Sequence, residues 1–278
     1  MNIFISASEL AILTGHNRYR DKTELIVKYW KKYFPKDFRR IETLLKKSSR
    51  KVSLPETAHE TVKRIATENN IDTKQIQKLY SASKNANART MQKDKQSALS
   101  EILKNVPIKE HKKLAQSANS LVYTTFGTRN EYSGTDLFKE KYKVDVRTPT
   151  SYFSEELFII EHGPDTHTWS IGGKIDGIYT NPDGDEVILE IKNRVNKLFH
   201  SLRDYEKVQC YAYMYVLDKK KVNLAECYKN LDNIAMNVID IHWDDDFWQK
   251  DIVENLSIFV DEFYEFLEND SHKIKLIS

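Results

Sequence analysis

The chain has 278 residues, a formal net charge of +2 and 40% hydrophobic residues, among them 15 Tyr, 12 Phe and 4 Trp. So much aromatic surface excludes a disordered chain, and no apolar run approaches the roughly 18 residues of a membrane span. The opening Met1–Ser8 has no basic stretch followed by a long apolar core, so it does not read as a secretory signal, and a soluble intracellular product is expected.

Charge is unevenly distributed: residues 1–120 carry +13 and residues 121–278 carry −11. A basic half suits a polyanion and an acidic half can hold carboxylates for metal ions, with solvated helix faces as the plain alternative. Cys210 and Cys227 have no neighbouring Cys or His at zinc-site spacing and read as reduced core residues. The scattered histidines form no His-x-x-x-His pair, and there is no Gly-x-Ser-x-Gly turn, which argues against zinc hydrolases and serine esterases.

In chain order, Ser6–Leu13 reads as a capped amphipathic helix, with Ser6 or Ser8 as the cap and Gly15 ending it. Leu25, Ile26, Tyr29 and Trp30 give a second helix from about Thr23, stopping near Pro35. Residues 37–117 are lysine-rich, free of Gly and mostly helical in period, with Pro55, Pro107 and the serine clusters at Ser48, Ser49, Ser81 and Ser83 as breaks, and read as a basic, mostly helical insertion. The run Lys28–Arg50, interleaved with Tyr29, Trp30, Tyr33 and Phe34, is a candidate DNA contact.

A further helix from Ala115 to about Lys141 carries Phe126-Gly127-Thr128-Arg129-Asn130-Glu131. Leu157–Glu161, Thr168–Tyr179 and Val187–Lys192 then read as strands of a meander, with Asn181–Asp185 a dense turn signal between the last two. Residues 203–217 read as a buried helix. Leu224–Tyr228 and Ala235–His242 read as strands, and Asp245–Leu267 as a final amphipathic helix. This order suits a mixed sheet flanked by helices, divided as N-terminal helices (1–36), the basic insertion (37–117) and an α/β core (118–278).

The sharpest chemical signal is Ile175-Asp176-Gly177 followed, after the turn, by Glu190-Ile191-Lys192. On adjacent antiparallel strands Asp176 can converge with Glu190 and Lys192, since positions two apart share a face. Two carboxylates and the Ile191 carbonyl offer hard oxygen ligands for Mg²⁺, and Lys192 can orient or deprotonate a water and steady phosphoryl charge. The same spacing also fits strand-end turn chemistry beside an amphipathic edge. What argues for a site is the Val-Ile-Leu run before Glu190, a buried strand that should end in few charges without a reason.

These residues resemble the PD-(D/E)xK nuclease superfamily and, more narrowly, the lambda exonuclease and YqaJ-type viral recombinase family. Four blocks match in order: Ser6-Ala7-Ser8-Glu9 with Gly15 and Tyr19; Phe126 to Glu131; Asp176 with Glu190 and Lys192; and Val208-Gln209 with Tyr213 and Tyr215. The proline of the superfamily name is replaced by Ile175. The arginine with which the family grips a terminal phosphate would fall at about Met1 and is absent, leaving Arg18 and Arg20 as replacements.

The resemblance implies a restriction-endonuclease-like fold and a Mg²⁺-dependent deoxyribonuclease, with Mn²⁺ as substitute and two ions. Asp176, Glu190, Ile191 and Glu131 would be ligands, Lys192 and Gln209 would complete the catalytic set, and Ser6, Ser8, Arg18, Arg20 and Tyr213 would meet DNA. It further implies 5′ to 3′ digestion of duplex ends in recombination, repair or viral DNA processing, a single-strand annealing protein as partner, a ring trimer, and host cytoplasm or nucleus if viral. An endonuclease or RNase on the same core and a non-catalytic DNA-binding subunit are the alternatives. For Tyr211, Tyr213 and Tyr215, core packing competes with base stacking.

Overall fold

The computed structural model describes residues 1–48, 52–230 and 233–278, so Ser49 and Arg50, read above as a break and as the end of the basic run, lie outside the described residues. Two sheets organise the chain. The first, in the order β1-β4-β3, joins β1 (Asn2–Ser6) in parallel to β4 (Asp165–Gly173), which is antiparallel to β3 (Phe153–His162). The second, in the order β2-β5-β6-β7-β8, is built from Val146–Arg147, Gly177–Thr180, Glu186–Asn193, Lys221–Asn230 and Asn233–His242, with β6 and β7 parallel and the other neighbours antiparallel.

The expected class, a mixed α/β fold with helices flanking the sheet strands, is the one observed, but two sequence expectations change. Thr168–Tyr179 is not one strand: it leaves the first sheet at Gly173 and enters the second at Gly177, placing Asp176 in the link between them. The N-terminus contributes a strand before its helix, with Ile3 and Ile5 fully buried against Trp169 and Ile171 in register. Its alternation is only five residues long and merges with the helix signal that follows, so periodicity did not separate the two.

The helices are α1 (Ala7–Leu13), α2 (Lys22–Tyr33), α3 (Pro35–Lys47), α4 (Ala58–Glu68), α5 (Thr73–Ser81), α6 (Ala88–Leu103), α7 (Ile108–Tyr142), α8 (Asp204–Leu217), α9 (Glu254–Glu268) and α10 (Asp270–Ile277). Before α9 the chain makes a π-helical segment, Phe247–Val253, and α10 extends beyond the single final helix expected. No helix among the described residues is long and apolar enough to cross a membrane.

Packing divides the interval 37–117. The amphipathic face of α3 (Phe38, Ile41, Leu45) joins the main core, whereas α4, α5 and α6 share a second apolar cluster with α7 that runs from Val62 to Phe126. The aromatics of the basic run also turn inward. Tyr29 and Trp30 are buried, Tyr33 and Phe34 pack against the main core, Lys28 pairs with Glu9, and Arg40 is held by Asp37 and Asp270. Trp30 meets Phe38 and Phe266 edge-on, so aromatic interleaving there signals packing more than base contact.

Strand β6 carries the consequence of period-2 alternation. Ile188 belongs to the main core with α8, while Leu189 and Ile191 belong to a third cluster with Phe138 of α7. Glu190 and Lys192 therefore share the face of Ile188, toward α8. On the opposite face α7 comes so close that a Cβ on Gly134 would lie 2.5 Å from Ile191 Cγ2 and 3.3 Å from Cys227 Sγ. Gly134→Val should force α7 off β6 and lower unfolding stability by about 1–3 kcal/mol in a denaturant titration, the usual range for overpacking; an unchanged midpoint would show that this approach is not tight.

Candidate active site

Three elements bring the site together. The inter-sheet link supplies Asp176, the C-terminal half of β6 supplies Glu190 and Lys192, and one face of α8 supplies Glu206, Gln209 and Tyr213 at helical spacing. Lys192 Nζ donates to Glu190 Oε1 at 2.7 Å and to Gln209 Oε1 at 3.0 Å, while Gln209 Nε2 donates to Glu190 Oε1 at 3.0 Å and to the Tyr213 hydroxyl at 2.9 Å. Glu190 is only 4% exposed. A carboxylate so buried needs this pairing, because an unpartnered one would cost several kcal/mol.

Asp176 is held differently. Its Oδ2 accepts from the Ile191 backbone N–H at 2.7 Å, a bond that reaches across the β5–β6 pair. Burial, followed by repulsion from Glu190, pushes its carboxyl up to about 8 against the pull of that N–H. Burial and Glu190 also raise Glu131, in the C-terminal half of α7, although Lys192 and a Thr128 hydrogen bond oppose them. Burial alone would lower the Lys192 ammonium, but Glu190 more than offsets it and the group stays well above its ordinary value.

Asp176, Glu131, Glu190, Lys192, Gln209 and Tyr213 line one cleft of about 520 Å³, together with Thr124, Thr128, Lys174 and Asn193. Asn193 Nδ2 donates to the Gly127 carbonyl at 3.0 Å, fastening the end of β6 to the α7 turn that bears Glu131. Among the described residues no three His, Cys, Asp or Glu side chains form a ready-made ion cage. Hard divalent cations such as Mg²⁺ do not require one, since they bind through one or two carboxylates with waters retained. Mutual repulsion of Asp176, Glu131 and Glu190 in a low-dielectric cleft is the electrostatic complement of such a cation.

The residues assigned to DNA divide. Tyr213 lines the cleft but is only 6% exposed, so its ring is core and its hydroxyl serves Gln209; Tyr211 and Tyr215 are likewise engaged, with the His242 and Glu156 carbonyls. Base stacking by this ladder is thus not what its packing favours. Ser6 and Ser8 hydrogen-bond each other at 3.2 Å, and Ala7 between them lies beside Gly173, as Tyr213 does. Ser6 precedes α1 without capping it through its side chain. Arg18 is exposed and donates to Tyr19, whose ring meets Tyr205 of α8 edge-on. Arg20 pairs with Glu24 and lines a separate cleft between α2 and α4, away from Asp176.

Sequence reasoning missed the cluster beneath the site. Arg194 donates to Glu206 at 2.6 and 3.0 Å and to Glu226 at 2.8 Å, and Glu226 also accepts from the backbone of Phe199 and His200. Glu206 and Glu226 are 1% and 0% exposed. The cluster ties the end of β6 to β7 and to the first turn of α8. Two signals were available: Arg194 continues the Glu190-Lys192 alternation, and Glu206 precedes Gln209 by three residues on a helix. The parallel register of Lys192 with Glu226 could be known only from the fold.

A model of the YqaJ-like viral recombinase domain matches residues 73–220, just over half of the chain. No curated protein matches. Among solved structures, the chain is similar to an alkaline exonuclease from Laribacter hongkongensis at 15% identity and TM-score 0.37, covering 68% of this chain and 87% of that one. The same exonuclease in complex with dAMP gives 14% identity and TM-score 0.36, covering 69% and 88%. The protein SSO0001 gives 18% identity and TM-score 0.33, covering 56% and 69%.

Two outcomes are expected. Arg194→Leu strands two buried carboxylates and should cost about 3–5 kcal/mol of stability, read by denaturant unfolding; a loss within experimental error would mean the cluster is solvated. Asp176 has a folded value raised above its unfolded one, so the metal-free protein should lose stability as pH climbs from that of a free carboxylate towards about 8. Asp176→Asn should flatten that slope in thermal melts, and an identical slope would show that the carboxyl is not desolvated.

Proposed function

The chain belongs to the YqaJ-like viral recombinase family, and we propose that it is a Mg²⁺-dependent deoxyribonuclease that digests duplex DNA ends from 5′ to 3′. The observation that carries this reading is the Glu190–Lys192–Gln209 knot beside the repelled carboxyl of Asp176 in one cleft. Asp176 and Glu190 would hold the cation, with the Ile191 carbonyl completing that position and Glu131 serving a second ion or its waters; Mn²⁺ would substitute. The bound cation would supply Lewis acidity toward a phosphoryl oxygen and an activated water.

The rest belongs to the side chains. Lys192, a charged ammonium in this arrangement, donates toward the phosphoryl oxygens as their charge grows. Gln209, fixed by Tyr213, has an amide that can turn from Glu190 to orient the attacking water. The cleft walls, Thr124 and Thr128 on one side and Lys174 on the other, offer donors to a phosphate-bearing strand. Ser6, Ser8 and Arg18 are assigned to the terminal phosphate, and Arg20 to a more distant stretch of DNA. Residues 1–36 and 118–278 form the nuclease core and 37–117 an accessory basic layer in this reading. The family resemblance adds a single-strand annealing partner and a ring trimer.

A linear duplex labelled at either the 5′ or the 3′ end, compared with a closed circle, tests the reading. Mg²⁺-dependent loss of the 5′ label with the circle intact is expected, and chelation should stop it. Circles cut as fast as linear DNA would make the enzyme an endonuclease, and cleaved RNA an RNase. Asp176→Ala and Lys192→Ala should each lower kcat by about 10²-fold or more while DNA binding persists. A parent that binds DNA and cuts nothing would leave a non-catalytic DNA-binding subunit.

A further inference from the structure

The second apolar cluster leaves a groove on its outer side that the catalytic site does not use. It has a volume of about 880 Å³ and lies between α4, α5, the 3-10 turn Ala82–Lys84 and α7. Its charged lining is Lys74, Lys78, Lys84 and Arg129, and no acidic residue is among the residues that line it. Lys78 is paired with Glu101 of α6 at 2.9 Å, whereas among the described residues Lys74, Lys84 and Arg129 have no carboxylate within salt-bridge distance. All three are exposed. Cations held near one another without counter-charges repel, and a polyanion relieves that repulsion.

Two more features narrow the ligand. The His59 ring stacks on Tyr80 in the same groove, with centroids 6.1 Å apart and planes at 25°. Cationic grooves with an aromatic platform take single polynucleotide strands, because every base has a face to stack and every phosphate a charge to pair. The groove is also joined to the catalytic cleft by one helical turn. Thr125 and Arg129 line the groove, while Thr124, Thr128 and Glu131 line the cleft. The two lie on adjacent faces of α7, since successive residues of a helix are turned by about 100°.

We propose that the groove between α4, α5 and α7 binds a single polynucleotide strand through Lys74, Lys84, Arg129 and the His59–Tyr80 pair, carrying it alongside the catalytic cleft. This places a strand-holding function on the helical layer and deepens the nuclease reading, since DNA as the strand rests on that reading. It also accounts for the positive charge of the layer, which the basic run of α2 and α3 does not absorb, its aromatics being core and part of its charge paired.

Binding of a labelled DNA single strand to the full chain in chelator, across a salt series, tests the proposal without digestion. Lys74→Glu/Lys84→Glu/Arg129→Glu should weaken binding about tenfold or more and flatten the log–log salt slope by about 2, given roughly 0.7 counterion per lost phosphate contact. Lys36→Glu/Lys46→Glu/Lys47→Glu, with the same charge change on exposed positions of α3, should have a much smaller effect, and a His59→Ala/Tyr80→Ala variant should weaken binding without changing the slope. Equal losses from the two charge-reversed variants, or an unchanged slope in the first, would overturn the proposal. A blunt duplex bound as tightly as the single strand, and weakened as much, would overturn the strand preference. Circular dichroism of each variant identifies a misfolded one, and then Lys74→Gln/Lys84→Gln/Arg129→Gln replaces the first with the same expectation. If the parent cuts no labelled duplex with Mg²⁺ yet the groove variant still loses strand binding, the nuclease reading falls and the groove stands.

Discussion

The site depends on a buried negative charge at the end of an apolar strand. Val187, Ile188 and Leu189 are fully buried, and the next residue, Glu190, remains almost so. A carboxylate there is tolerable only with donors at hand, and Lys192 and Gln209 converge on the same oxygen to provide them. Asp176 has no such cation. It has one backbone N–H and two carboxylate neighbours, so its charge is the unsatisfied element of the cleft. The protein has stabilised one carboxylate and left another wanting a positive partner, which is the condition a cation-binding centre requires.

The surrounding fold keeps these groups in place. The chain passes from one sheet to the other through the link that bears Asp176. Gly134 lets α7 lie directly on Ile191, and Asn193 pins the Gly127 turn, so Glu131 faces the same opening from the opposite side of β6. Beneath, Arg194 and its two buried glutamates hold α8, and with it Gln209, at a fixed height above the strand. Paired, hydrogen-bonded charges in a core resist sliding more than apolar contacts do, because displacement leaves each of them unpartnered.

Much of this was legible in the sequence, and its limits are physical. Asp176, Glu190 and Lys192 stood out because a hydrophobic strand rarely ends in alternating charges, and the turn at Asn181–Asp185 fixed their pairing. Gln209 and Glu131 were found only through family resemblance, since an amide or carboxylate on a helix face has no local signature. The break at Lys174–Asp176 was hidden because β-branched and aromatic residues flank it on both sides, and propensity does not say which sheet a strand joins. The tyrosines of α8 alternate in sequence, yet on a helix they fan out, meeting the His242 carbonyl, Gln209 and the Glu156 carbonyl in turn. The groove of the helical layer could not be read at all, because it is assembled from residues as distant as His59 and Arg129.

The most direct test of the central claim is cation binding itself, measured by electron paramagnetic resonance of Mn²⁺ titrated into the DNA-free chain and into Asp176→Asn. Saturable binding to the parent that Mg²⁺ displaces and that the variant has lost is the expected result. Equal Mn²⁺ binding by both proteins, or none by the parent at millimolar ion, would contradict it.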